Sequence, residues 1–136
     1  MTKRIESSFS AQAMMRTLGA ELASVEPGCV IITAPILPTS TQQHGFGHAG
    51  LTFSIGDSAA GYAALTLMPE DSEVLTAEMK INLLAPAKGD LLRATGKVIK
   101  PGRRLMVVQA EVEAIDGDEV TTIAILQGTM VPVGTK

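Results

Sequence analysis

Tryptophan is absent, and aromatic side chains make up only 3% of the chain, with Tyr62 its one tyrosine. A surface for nucleic acid needs stacked rings and a cationic track for phosphates, and a net charge of -3 supplies neither, so that class is set aside. Cysteine is nearly missing as well. Cys29 alone closes no internal disulfide, which points to a reducing compartment. Charged residues are scarce at 18% while hydrophobic ones reach 46%, so 136 residues suit one domain, 1–136, with a rich core. Near the N-terminus, Glu6, Arg16 and Glu21 interrupt any apolar run of signal-peptide length, and a cytoplasmic location is the expectation.

Taken in order, residues 8–18 carry Ser as an N-cap and Ala, Met and Leu at helical spacing, which predicts a short lid-like helix ending at Gly19. Two strands over 20–26 and 29–36 follow, joined at the turn dipeptide Pro27-Gly28. The polar, glycine-punctuated segment 38–47 is a loop. Beyond it, 48–68 predicts one long helix, and the remainder predicts four strands: 73–84, 91–100, 103–115 and 119–133. Pro101-Gly102 and Asp116-Gly117 mark turns between the last three. The order implies an α+β fold in which an antiparallel sheet curls around the central helix.

That helix is the stretch around which the chain is organised. Among its alanines, glycines and leucines it carries one charged side chain, Asp57. A helix apolar on all sides is a buried one, and an unpaired carboxylate there costs several kcal/mol, on the order of a domain's spare stability. Asp57 also makes the segment a poor membrane span. A structural carboxylate bonding Ser54 or Ser58 is one reading; a general base or nucleophile in a partly dry cleft is the other.

Three further patterns bear on chemistry. GFGHAG at 45–50 matches a dinucleotide fingerprint, but TSTQQ precedes it instead of a buried strand, and hairpins follow, so no Rossmann site is expected. The glycines instead let a ligand approach backbone N–H groups at a helix start, where an oxyanion hole can be built. His44 and His48 have the spacing of a metal pair, yet the glycines between them oppose a helix and no third ligand is near, so no metal is expected. His48 serves equally well as a cap of the helix. Lys97, Lys100, Arg103 and Arg104 bracket a turn and form either a solvated tip or a phosphate clamp.

QQHGFGHAGLTFSIGDSAAGYAAL, then TAEMKINLLAPAKGD and KPGRRLMVVQAEV, resemble the hotdog-fold thioesterases of the PaaI-like, phenylacetate-pathway type, over about residues 35–132. The resemblance implies an acyl-CoA thioesterase in which Asp57 is the general base or nucleophile. It places His48 at the His of an HGG motif, here His48-Ala49-Gly50, with the Ala49 N–H as oxyanion donor and Gly50 against the substrate. Gln42 falls where relatives contact the thioester with Asn or Gln, and Thr76 where some hold the attacking water. Gly61 stands where others carry a hydroxyl. Gly102, Arg103 and Arg104 lie where the family meets the coenzyme A nucleotide, which is part of the substrate, so no separate cofactor is implied. Strict period two, however, puts Thr76 with Glu78 and Lys80 on the polar side of its strand.

Asp57 follows His48 by nine residues, roughly 13 Å along a helix at 1.5 Å per residue. One chain's carboxylate cannot reach a carbonyl held at its own helix start, so the site is expected to be shared across a homodimer, within a homotetramer in similar proteins. The alternatives are a hotdog dehydratase or hydratase, whose His lies in a proline-rich motif absent here, and a non-catalytic acyl-CoA-binding protein.

Overall fold

The structure is a computed structural model that describes residues 1–134, leaving the last two positions of the expected 1–136 domain outside the described residues. Two short helices, α1 (Thr2–Ala11) and α2 (Ala13–Leu18), lead into β1 (Glu21–Glu26) and β2 (Cys29–Pro35). A loop with one 3-10 turn, Pro38–Ser40, feeds the long helix α3 (Ala49–Leu65). Then come β3 (Ser72–Leu83), β4 (Leu91–Lys100), β5 (Met106–Asp116) and β6 (Glu119–Gly134). The six strands form one sheet in the order β1-β2-β4-β5-β6-β3, every neighbour antiparallel. The expected sheet wrapped on one helix is what the chain builds. The strand after α3 is not hairpinned to the next, however: β3 crosses to the far edge and, among the described residues, pairs only with β6.

α3 sits close against the sheet because small residues line the contact. An added Cβ at Gly96 of β4 would stand 2.3 Å from the Ala59 carbonyl carbon and 2.4 Å from the Ala60 nitrogen, backbone atoms that cannot swing aside. Ala59, Ala60, Ala63 and Ala64 are fully buried there, beneath Val30, Ile32, Leu92, Val108, Val112 and Leu126. The helix is nevertheless not enclosed on every side as its composition suggested: Phe53, Ser54, Asp57 and Ser58 are only half-buried. No described helix is long and apolar enough to cross a membrane.

Four boundaries depart from the sequence reading, each for a tertiary reason. The N-terminal helix starts at Thr2 because Ile5 is buried and the Arg4 guanidinium donates to the carbonyls of Met68, Pro69 and Ser72 at 3.3, 2.8 and 2.5 Å. The same guanidinium reaches Leu65 O at 3.5 Å, so the charge supplies donors to carbonyls at and just beyond the C-terminal end of α3. The helix then breaks at Gln12, whose backbone is extended, before resuming and ending, as expected, at a left-handed Gly19. α3 stops at Leu65, three residues early, where Thr66 Oγ1 donates to Ala63 O and accepts from Gly28 N. β5 begins at Met106 instead of 103, since Pro101 offers no N–H to the ladder and residues 101–105 form an exposed turn.

Candidate active site

The loop before α3 is tied down by its own backbone. Gly47 N donates to Ala87 O at 2.8 Å, His48 N to Ser40 O at 2.9 Å and Gln42 N to Phe46 O at 2.8 Å. The Gln42 side chain folds into this loop, Oε1 accepting from the His44 and Phe46 N–H groups at 2.6 and 3.3 Å. With its oxygen engaged, the amide NH2 is the end left to meet a ligand.

His48 is the N-cap of α3, and its Nδ1 accepts from Gly50 N at 2.7 Å. An accepting Nδ1 leaves the ring proton on Nε2. Gly50 gives this cap room, because a Cβ there would stand 3.0 Å from the His48 Nδ1 and the ring would have to shift by a few tenths of an ångström. The Gly50 N–H is thus engaged within the chain. The Ala49 N–H, in the first turn and without an acceptor among the described residues, is the donor free to bind an oxyanion. Gln42, His48 and Ala49 line one cleft, walled by apolar Phe46, Pro86 and Ile123.

Asp57 lies elsewhere. It occupies a second recess, bordered by Thr76, Glu73 and Met130 from the sheet and by Ser8 and Gln12 from the N-terminal helices. Neither Ser54 nor Ser58 bonds it among the described residues. Thr76 Oγ1 instead donates to Oδ1 at 2.8 Å, while Oδ2 has no partner among the described residues. Burial raises the Asp57 carboxyl above its ordinary range, and the Thr76 bond offsets part of that rise.

Thr76 corrects the parity argument. A β-bulge between Thr76 and Glu78 places an extra residue, Ala77, in β3, so that Thr76 pairs with the buried Met130 and Glu78 with Thr129. The bulge flips one segment of the strand relative to the other. Thr76 therefore turns toward α3, and Glu78 turns outward to Thr129 Oγ1.

Gly102 and Arg103 line a groove with Pro69, Asp71, Ser72 and Met106. This groove lies beside the Asp57 recess through the paired Met106 and Met130 of β5 and β6, which border the groove and the recess respectively. Arg104 is exposed on the same turn. Lys97 is separated from them, on a different part of the sheet beside Thr95, Gln109 and Glu111. The structure thus gathers the candidate residues into two half-sites, Gln42 with His48 and Ala49, and Asp57 with Thr76 near Gly102 and Arg103. Ser8, Gln12 and Tyr62 were not foreseen. Nothing in AQAMM marks a helix break, and only the tertiary bonds of Gln12 reveal it.

The chain matches the family model of the thioesterase superfamily over residues 44–121. A solved thioesterase family protein from Silicibacter pomeroyi is 40% identical, with a TM-score of 0.97 and a match covering 98% of each chain. A Saccharolobus solfataricus protein with a provisional esterase name is 32% identical over 116 residues, 85% of this chain and 82% of its own. The acyl-coenzyme A thioesterase PaaI of Escherichia coli is 25% identical over 127 residues, covering 93% of this chain and 86% of its own.

Proposed function

The chain belongs to the thioesterase superfamily as a hotdog-fold, PaaI-like thioester hydrolase, and from that premise we propose that it hydrolyses aryl- or medium-chain acyl-CoA at a site completed by a second copy of itself. The observation that carries the reading is the division of the machinery: the oxyanion donors and the carboxylate lie in separate clefts of one chain. The free edge of β3 offers the means of joining them. It is long, pairs on one side only among the described residues, and exposes Leu75 and Leu83 at 56% each. Antiparallel pairing of two such edges about Met79 sets the Thr76 end of one copy against the Leu83 end of the other. Leu83 borders the Gln42 cleft, so the partner's Asp57 comes to the thioester held there.

In this site the Gln42 amide and the Ala49 N–H polarise the thioester carbonyl, helped by the positive end of α3. His48 fixes the first turn so that the Ala49 N–H points outward. Asp57, its Oδ1 held by Thr76, uses Oδ2 to take a proton from water or to attack the carbonyl directly. Gly102, Arg103 and Arg104 receive the nucleotide phosphates of coenzyme A, for which planar guanidinium groups are suited. Water and these side chains suffice, and no cofactor beyond the substrate's own coenzyme A is invoked. PaaI of Escherichia coli, from the phenylacetic acid degradation operon, supports the aryl choice.

A panel of aryl- and straight-chain acyl-CoA esters, followed by release of free thiol, tests this directly. Turnover of phenylacyl or medium-chain members is expected, and no thiol release from any member contradicts the proposal. The pH dependence carries a second expectation. Only the ionised carboxylate accepts a proton, and burial raises its pKa, so kcat/KM should fall about tenfold per unit below a midpoint lying above the ordinary ~4 of a carboxylate. An acid limb at or below pH 4 would contradict Asp57 as the base.

A further inference from the structure

We propose that Gln12 is a positioning residue for the hydrolysis: the break between α1 and α2 carries its amide over the Asp57 recess, where it fixes the neighbouring turn of α3 and keeps bulk water off the carboxylate. Gln12 Nε2 donates to Tyr62 Oη at 3.0 Å, and Gln12 Oε1 accepts from Ser58 Oγ at 3.4 Å. Ser58 follows Asp57 directly and Tyr62 lies one turn further on, so a single amide clasps α3 beside the acid. Ser8 Oγ lies 3.1 Å from the same Tyr62 oxygen, and the Phe9 ring packs against the Tyr62 ring at 6.2 Å.

The break has no local cause. Ala11, Gln12, Ala13, Met14 and Met15 are good helix formers, with neither Gly nor Pro among them, yet Gln12 is extended at φ -85° and ψ 101°. An uninterrupted helix would carry the side chain at position 12 along the helix surface; the extended residue delivers it into the recess instead. The groups facing Asp57 show what that delivery does. β3 presents Glu73 and Thr76, β6 presents Met130, α3 presents Tyr62, Ser58 and Gly61, and the N-terminal helices present only neutral Ser8 and Gln12. Among the described residues no cation borders the recess, so burial is the main cause of the acid's raised proton affinity, with the Thr76 bond opposing it, and the N-terminal segment closes the recess on one side.

The inference rests on the thioesterase reading for its catalytic half, and the test separates the two. Carbon-13 carboxyl NMR of the full chain reads the Asp57 titration without any substrate. Gln12→Ala is expected to lower the Asp57 midpoint by about half a unit or more through added hydration, whereas Gln12→Glu, which sets a second carboxylate beside it, is expected to raise it. Tyr62→Phe, which keeps the ring and removes only the hydroxyl that Gln12 holds, should move the midpoint in the Gln12→Ala direction and guards against misfolding of the other variants. In acyl-CoA assays Gln12→Ala should lose kcat by ~10-fold with KM within about twofold, and its acid limb should follow the NMR midpoint. Midpoints unchanged across folded variants, or a kcat equal to the parent's, overturn the role of Gln12. A parent that hydrolyses no acyl-CoA overturns the thioesterase reading, and the NMR titrations then still decide whether Gln12 shields Asp57.

Discussion

Asp57→Asn is expected to lower kcat/KM for acyl-CoA hydrolysis by about 10³-fold without lowering thermal stability at neutral pH. Both halves follow from the same environment. The isosteric amide accepts the Thr76 hydrogen bond as Oδ1 does, so the recess keeps its shape, but it neither takes a proton from water nor attacks a carbonyl. On stability, the folded carboxyl binds its proton more tightly than the unfolded one, because burial raises its pKa. Unfolding then releases protons between the two pKa values, so the protonated acid contributes its full stabilisation below the unfolded pKa, and that contribution is lost as pH rises through the folded one. At neutral pH the buried charge is a cost, and the neutral amide removes it. Thiol release and a thermal melt check the two halves. Parent-like turnover refutes the catalytic assignment, and a large drop in Tm would make Asp57 a structural carboxylate after all.

Gly96→Ala is expected to destabilise the protein by ~1–3 kcal/mol or more, with a fall of several degrees in Tm. The new methyl would meet the Ala59 and Ala60 backbone at 2.3–2.4 Å, so α3 must lift from β4 or the strand must bow outward. Either movement displaces Asp57, only two residues before Ala59, relative to Thr76 across the sheet. Activity should therefore fall with stability. Gly61→Ala is the contrasting case, as its methyl would meet only the flexible end of Met130, at 3.6 Å, in ordinary contact. It should leave Tm unchanged or raise it, through better helix propensity. Chemical denaturation of the two variants checks the pair, and equal behaviour would mean that the close seat of α3 is not what the small residues secure.

Periodicity and turn chemistry made the scaffold readable: Pro27-Gly28 and Asp116-Gly117 sit at the tips of observed hairpins, and the alternation of Val108, Ala110 and Val112 against Gln109, Glu111 and Glu113 faces the core and away from it. Asp57 was legible because one charge among alanines and glycines stands out. His48 was legible in both its readings, and the structure makes it the helix cap. Only the face on which Thr76 lies was misjudged, because a bulge adds one residue to one strand, and period two carries no trace of it until the partner strand's register is known. The start of α1 and the break at Gln12 were invisible for a related reason. They are decided by Arg4 reaching the end of α3 and by Gln12 reaching Tyr62, partners 65 and 50 positions away. Local propensity yields to such contacts when they satisfy groups the local structure leaves open.

The central claim, that donors on one chain serve the carboxylate of another, is tested most directly by mixing two inactive proteins. Asp57→Ala chains and Gln42→Ala chains, unfolded together and refolded, should assort at random, and half of the dimers then hold one intact site of two. The account predicts recovery of about a quarter of parental acyl-CoA hydrolysis from an equimolar mixture. Activity no greater than that of either variant refolded alone, with mixed dimers present, would contradict it.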